Sequence, residues 1–169
     1  LALRIKEMYP KIPIVVLTPF SREVNLELTE KSLSVIDYIF SWLGNADILL
    51  AIIKLIEDKM NMELDAKQGV QAILLVEDSI RFYSSYLPNI YKIMFKQSKG
   101  FMTEGLNEHQ KMVRMRGRPK ILLATSYEEA VRKFWKYKNN LLGIISDISF
   151  KKGGERDKTL TLNVKKRNK

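Results

Sequence analysis

Apolar and polar positions along this chain follow two periods, and the changes of period mark its elements. Residues 1–9 read as the end of an amphipathic helix, stopped by Pro10. Ile12-Pro13-Ile14-Val15-Val16-Leu17-Thr18 is a short β-branched apolar run of the kind that fills a buried parallel strand. Pro19 and Ser21 follow, then a helix candidate over 21–31 and a second strand over 35–40. Gly44-Asn45 makes a turn, with Asn45 as helix cap and Asp47 in the first turn. The helix it opens, 46–60, carries Leu49, Ile52, Ile53 and Ile56 at helical spacing.

Residues 61–71 are polar, contain one glycine and read as a linker, after which the pattern restarts. Ala72-Ile73-Leu74-Leu75-Val76 is a strand that runs into Glu77-Asp78. Residues 79–97 are helical in pattern, with Pro88 expected to kink or divide them. A long, polar, basic stretch (98–120) leads to a strand over 121–125. Ser126-Tyr127-Glu128-Glu129 fits a capping box, Ser126 capping the helix and Glu129 reaching back, and that helix runs to about Lys138. Asn139-Asn140 turns the chain into a strand over 141–146 that ends at Asp147; Gly153-Gly154 then break the pattern. The order β-α-β-α, linker, β-α-β-α-β predicts an α/β fold with a parallel sheet. In such sheets chemistry gathers beyond the carboxyl ends of the strands.

Composition narrows the picture. Of 169 residues, 46% are hydrophobic and 28% charged, which is globular rather than disordered composition. There is no cysteine, so disulfides, thiolate zinc sites and a catalytic thiol are excluded for this chain. The longest apolar run, 48–53, is far too short to span a bilayer, and the first residues have neither a Met start nor a signal-peptide layout. The expectation is a soluble, cytoplasmic segment cut from something longer, with no membrane partner.

The net charge of +10 is local in origin. Residues 92–120 and residues 151–169 each carry eight basic and two acidic residues, and the remainder sums to −2. Positive charge held in a loop and a tail is unlike the continuous basic face of a nucleic-acid module.

The candidate chemistry is acidic. One strand ends in Glu77 and Asp78, the other in Asp147. If these strands are adjacent and parallel, all three carboxylates meet at one edge. Three packed anions repel, and hard oxygen ligands with room for water suit Mg²⁺. A divalent ion beside a free carboxylate neutralises an incoming phosphoryl group. The plainer alternative is that the three acids only cap loops and helices.

Residues 73–79, Ile-Leu-Leu-Val-Glu-Asp-Ser, resemble the first strand and acidic pair of response-regulator receiver domains. Residues 142–150, Leu-Gly-Ile-Ile-Ser-Asp-Ile-Ser-Phe, resemble their third strand and phosphoacceptor loop. The resemblance covers about 72–150 and implies a flavodoxin-like fold. It also implies that Asp147 accepts a phosphoryl group and that Glu77, Asp78, Asp147 and the backbone carbonyl of Ser149 hold Mg²⁺. The implied partners are a histidine kinase or small phosphodonor. The first half resembles the other end of a receiver: 14–18 the fourth strand with Thr18 as switch hydroxyl, 36–40 the fifth strand, 46–60 the closing helix. Ser41-Trp42 stands where receivers carry Lys-Pro, so the phosphate-pairing lysine is missing.

The wording of 37–45 and 76–88 is similar to the N-terminal region of phosphoenolpyruvate synthase or pyruvate phosphate dikinase-like proteins, known mainly from Bacteroidetes. There, receiver-like segments precede a catalytic part, which would be this segment's partner within its parent polypeptide. No phosphohistidine motif is present, His109 being the only histidine. The domain reading is a first partial receiver (1–60), a linker (61–71), a second partial receiver (72–157) with a basic insertion at about 98–120, and a basic, disordered tail (158–169). The five strands together make one full set in circularly permuted order. One expectation is therefore a single permuted sheet with Thr18 beside Asp147; the other is two incomplete halves. On either, the segment signals rather than turning over a metabolite, the competing reading being an interaction module that is never phosphorylated.

Arg116-Gly117-Arg118-Pro119 resembles an AT-hook core, which lies in the minor groove of A·T-rich DNA. A basic loop punctuated by Gly and Pro accounts for the same four residues.

Overall fold

The structure, a computed structural model, describes residues 1–19, 33–100 and 117–147, together with the backbone of 151–152 and 155–156. The helix expected over 21–31, most of the basic stretch, His109, Arg116, Ser149 and the tail lie outside the described residues. The chain divides into two compact units. The first is Leu1–Ile56 with Ser79–Phe95, the second Glu57–Asp78 with Lys96–Lys169. Residues 79–95 thus belong with the first unit, although sequence order groups them with the second.

In the first unit, α1 (Ala2–Met8) precedes β1 (Val15–Thr18), which pairs in parallel with β2 (Tyr38–Ser41). Both strands begin later than the apolar pattern suggests, because the residues before them are spent on a side-chain anchor. Asp37 accepts the Ile14 N–H (3.0 Å) and the Lys6 ammonium (2.8 Å), which ties α1 to the start of the ladder. The register runs to Thr18 opposite Ser41, and the Trp42 N–H donates to the Thr18 carbonyl (2.7 Å).

β2 buries Phe40 and Ser41 against the early turns of α3 (Ile80–Gly100). The Phe40 and Tyr83 rings meet edge-on, 5.4 Å between centroids, a favoured aromatic geometry. The Tyr83 hydroxyl donates to the Ile39 carbonyl, and burial pushes its pKa well above that of an ordinary tyrosine. The Ser84 hydroxyl accepts the Ser41 N–H (2.9 Å), which satisfies that buried donor. Tyr83, Leu87 and Tyr91 continue the buried face at spacings of four. That face explains why Pro88 neither ends nor divides α3: the proline is itself buried beside Leu87, and packing offsets the roughly 3 kcal/mol that an interior proline costs.

α2 (Asp47–Lys67) starts as expected, the Asn45 side-chain oxygen accepting the Asp47 N–H (2.9 Å). It does not stop at residue 60. Its buried phase, Ile48, Ala51 and Leu55, continues through Asp58 to Met62, which is fully buried. The segment read as a linker is therefore helical to Lys67, and the chain turns only at Gly69, whose φ of +81° a residue with a Cβ rarely adopts.

The second unit holds a three-stranded parallel sheet in the order β4-β3-β5. β3 (Ala72–Val76) is central, β4 (Lys120–Ala124) is buried along its length, and β5 (Leu141–Ser146) forms an edge. Met62, Ala72, Leu74, Val76, Leu122, Ala124 and Ala130 form a buried cluster, with Phe134 and Tyr137 of α4 (Tyr127–Tyr137) packed on it. Alternate strand residues supply it, as the pleat requires. Two two-residue strands, β6 (Lys151–Lys152) and β7 (Glu155–Arg156), pair antiparallel.

β1 and β2 pair with each other within the first unit, and β3, β4 and β5 within the second.

The capping box forms with a shift. Ser126 accepts the Glu129 N–H (3.2 Å), but Glu129 reaches one residue further back, to the Thr125 N–H (2.9 Å) and hydroxyl (3.3 Å). Its other oxygen meets Lys133 at 2.7 Å. Burial raises the Glu129 pKa, but the Lys133 charge and these hydrogen bonds outweigh it and leave the carboxyl below its ordinary value. A depressed carboxylate contributes stability that is present above the unfolded pKa of about 4.3 and lost as pH falls through the lower folded value. Acid unfolding of Glu129→Gln, followed by circular dichroism, should therefore show a shallower loss below about pH 4 than the parent chain.

Candidate metal centre

β3 and β5 are adjacent and parallel, and Val76 is the register partner of Ser146. The residues that follow leave the sheet together. The Asp147 N–H donates to the Val76 carbonyl (3.0 Å), and on the other side the Glu77 N–H donates to the Ala124 carbonyl (3.0 Å). Both acidic segments are thus fixed by the ladder before their side chains begin. One oxygen from each of Glu77, Asp78 and Asp147 lies within 4.8 Å of the other two.

Burial differs among the three. Glu77 is only 4% exposed. Among the described residues, Asp78 Oδ2 is buried with no hydrogen-bond partner. A buried carboxylate oxygen without a partner is costly, and a cation is one of the few groups that answers it. Like charges about 4 Å apart repel by about 1 kcal/mol in water and about 4 kcal/mol near a protein surface. The donor set is all oxygen, which suits Mg²⁺ or another hard divalent ion with waters completing its shell. On donor chemistry and on the orphaned oxygen, these residues fit such an ion. The fourth expected ligand, the Ser149 carbonyl, lies outside the described residues.

Thr18 and Ser41 face each other at the carboxyl ends of β1 and β2, in the first unit. Arg118 of the AT-hook-like run is buried. Its guanidinium meets both oxygens of Asp58, at 2.7 and 3.0 Å.

This ion pair is what sequence reasoning missed. Asp58 is fully buried and also accepts the Ile121 N–H (2.9 Å). Lys120, 6% exposed, joins Asp58 (3.9 Å) to Asp65 (3.0 Å). Two anions and two cations thereby fix the entry of β4 beside α2. The signal was present: Asp58 sits three residues after Leu55 and four before Met62, in phase with the buried face. An acid in a core phase demands a cation.

Among the described residues, no helix is long and apolar enough to cross a membrane. Compared with known protein families, curated proteins and solved structures, the chain matches none.

Proposed function

We propose that the second unit is a receiver-type phosphoacceptor module with flavodoxin-like architecture. Asp147 takes a phosphoryl group while Glu77, Asp78 and Asp147 hold Mg²⁺. The observation that carries this reading is the convergence of three carboxylates at the carboxyl edge of a parallel sheet, one oxygen of Asp78 being buried and unanswered. The parallel order β4-β3-β5, with the acids after β3 and β5, is compatible with it.

In the proposed step, an Asp147 carboxylate oxygen attacks phosphorus. The P–O bond to the donor's leaving group breaks and an acyl phosphate forms on Asp147. When the donor is an acyl phosphate, the leaving group departs as a carboxylate and no proton need be supplied. Bound Mg²⁺ would neutralise charge on the phosphoryl oxygens. Glu77 and Asp78, set just after the central strand, would keep that neutralisation fixed in place. The product carries about −1.5 to −2 charge, enough to reorganise nearby loops. The positions that resemble a receiver's switch threonine and lysine, Thr18 and Ser41, belong to the first unit, so the expected switching at Asp147 is weak or short-lived. The module would serve a larger dikinase-like protein and receive its phosphoryl group from a histidine kinase or small phosphodonor, with no turnover of its own.

Exposure of Leu142, Ile144 and Ile145 on β5 favours a second reading, an interaction module that is never phosphorylated. The AT-hook reading is disfavoured, since Arg118 would have to leave a buried bidentate ion pair to reach a minor groove. Incubation with acetyl phosphate and Mg²⁺, read by intact mass, separates the two main readings. The expected result is a gain of one phosphoryl group, lost with EDTA and in Asp147→Asn. A folded chain that gains no mass would leave the interaction module.

A further inference from the structure

β4 ends the order β4-β3-β5, so among the described residues it has a strand on one side only. The outer side of an end strand carries a row of N–H and C=O groups that invites another strand. The pairing with β3 shows which groups form that row. The Lys120 N–H donates to the Gln71 carbonyl (2.8 Å), and the Ala124 carbonyl accepts the Glu77 N–H (3.0 Å). Residues 120, 122 and 124 therefore turn their backbone groups toward β3. Backbone groups alternate along a parallel ladder, so residues 121, 123 and 125 turn theirs outward.

Side chains from two helices answer that outward row at each of its three residues. The Ile121 N–H donates to Asp58 of α2 (2.9 Å). The Leu123 carbonyl accepts the Lys133 ammonium of α4. The Thr125 N–H donates to Glu129 of α4 (2.9 Å). Each of the three is itself held by an opposite charge, Asp58 by Arg118 (2.7 Å) and Glu129 by Lys133 (2.7 Å). This accounts for the shifted capping box: Glu129 passes over the Ser126 N–H to take the last outward amide of the strand. An incoming strand would have to displace these groups and leave charge uncompensated, at full burial in the case of Asp58. We infer that Asp58, Glu129 and Lys133 seal the outer edge of β4 against strand addition. Neither a second copy of the chain nor another extended segment continues the sheet on that side.

Sedimentation velocity of the full chain, run beside hydrogen exchange by mass spectrometry, tests this. Glu129→Ala/Lys133→Ala opens two of the three closures and leaves Asp58, with its buried cations, in place. With circular dichroism confirming the fold, this variant should self-associate about tenfold more tightly than the parent chain, the gain expected from a few new backbone hydrogen bonds. Exchange across 121–125 in the variant should slow as concentration rises, because the strand edge is then paired. If the double variant does not fold, Lys133→Met decides on the same two readings, since Ser126 and Glu129 still cap α4 there. A folded variant that associates no more tightly than the parent chain would overturn the inference. Tighter association with no slowing across 121–125 would overturn it as well, because another surface would then be responsible.

Discussion

Asp58→Ala is expected to destabilise the second unit by about 3–5 kcal/mol, the range for removing one partner of a buried ion pair. The substitution leaves the Arg118 guanidinium and the Lys120 ammonium buried without Asp58, Lys120 keeping its pairing to Asp65. It also strands the Ile121 N–H at the first turn of β4 into the sheet. The loss comes from uncompensated charge rather than from the worth of the pair itself. The double variant Asp58→Leu/Arg118→Met should therefore recover much of the stability, since well-packed apolar replacements for buried pairs are often neutral. Urea unfolding of the parent chain and the two variants decides the matter. Equal loss in the single and double variants would show that the pair contributes through its own attraction.

Phe40→Ala should cost a similar amount, about 3–5 kcal/mol, in the first unit. Phe40 is fully buried and lies between its register partner Leu17 and the Tyr83 ring. Truncation removes the aromatic contact and leaves a cavity beneath the hydroxyl that closes on Ile39. Near-UV circular dichroism should lose its tyrosine signal at lower urea than in the parent chain. An unchanged midpoint would mean that the contact between β2 and α3 contributes little to holding the first unit.

Much of the fold was legible because parallel strands announce themselves. Ala72–Val76 and Leu141–Ser146 are continuous apolar runs closed by acids, and both lie where that pattern sets them. The acidic site follows from the same feature, since carboxylates placed after adjacent parallel strands must converge. What was not legible depended on partners far along the chain. Residues 61–67 look polar, yet Met62 keeps the helix in its core phase and Asp58 is neutralised by a residue 60 positions on. Pro88 reads as a breaker until Leu87 and Tyr91 are seen buried on either side of it. The β5 run reads as a core strand, but period alone does not say whether anything covers it. Thr18 and Ser41 lie side by side, which their strands' order suggests.

The central claim is that Glu77, Asp78 and Asp147 together hold a divalent cation. Terbium luminescence, titrated into the parent chain and then displaced with Mg²⁺, tests it most directly, since a lanthanide reports oxygen ligands and lost water at the site itself. The account predicts one saturable site, displaced by Mg²⁺ and abolished in both Asp78→Asn and Asp147→Asn. A site that persists in both variants, or none in the folded parent chain, would contradict it.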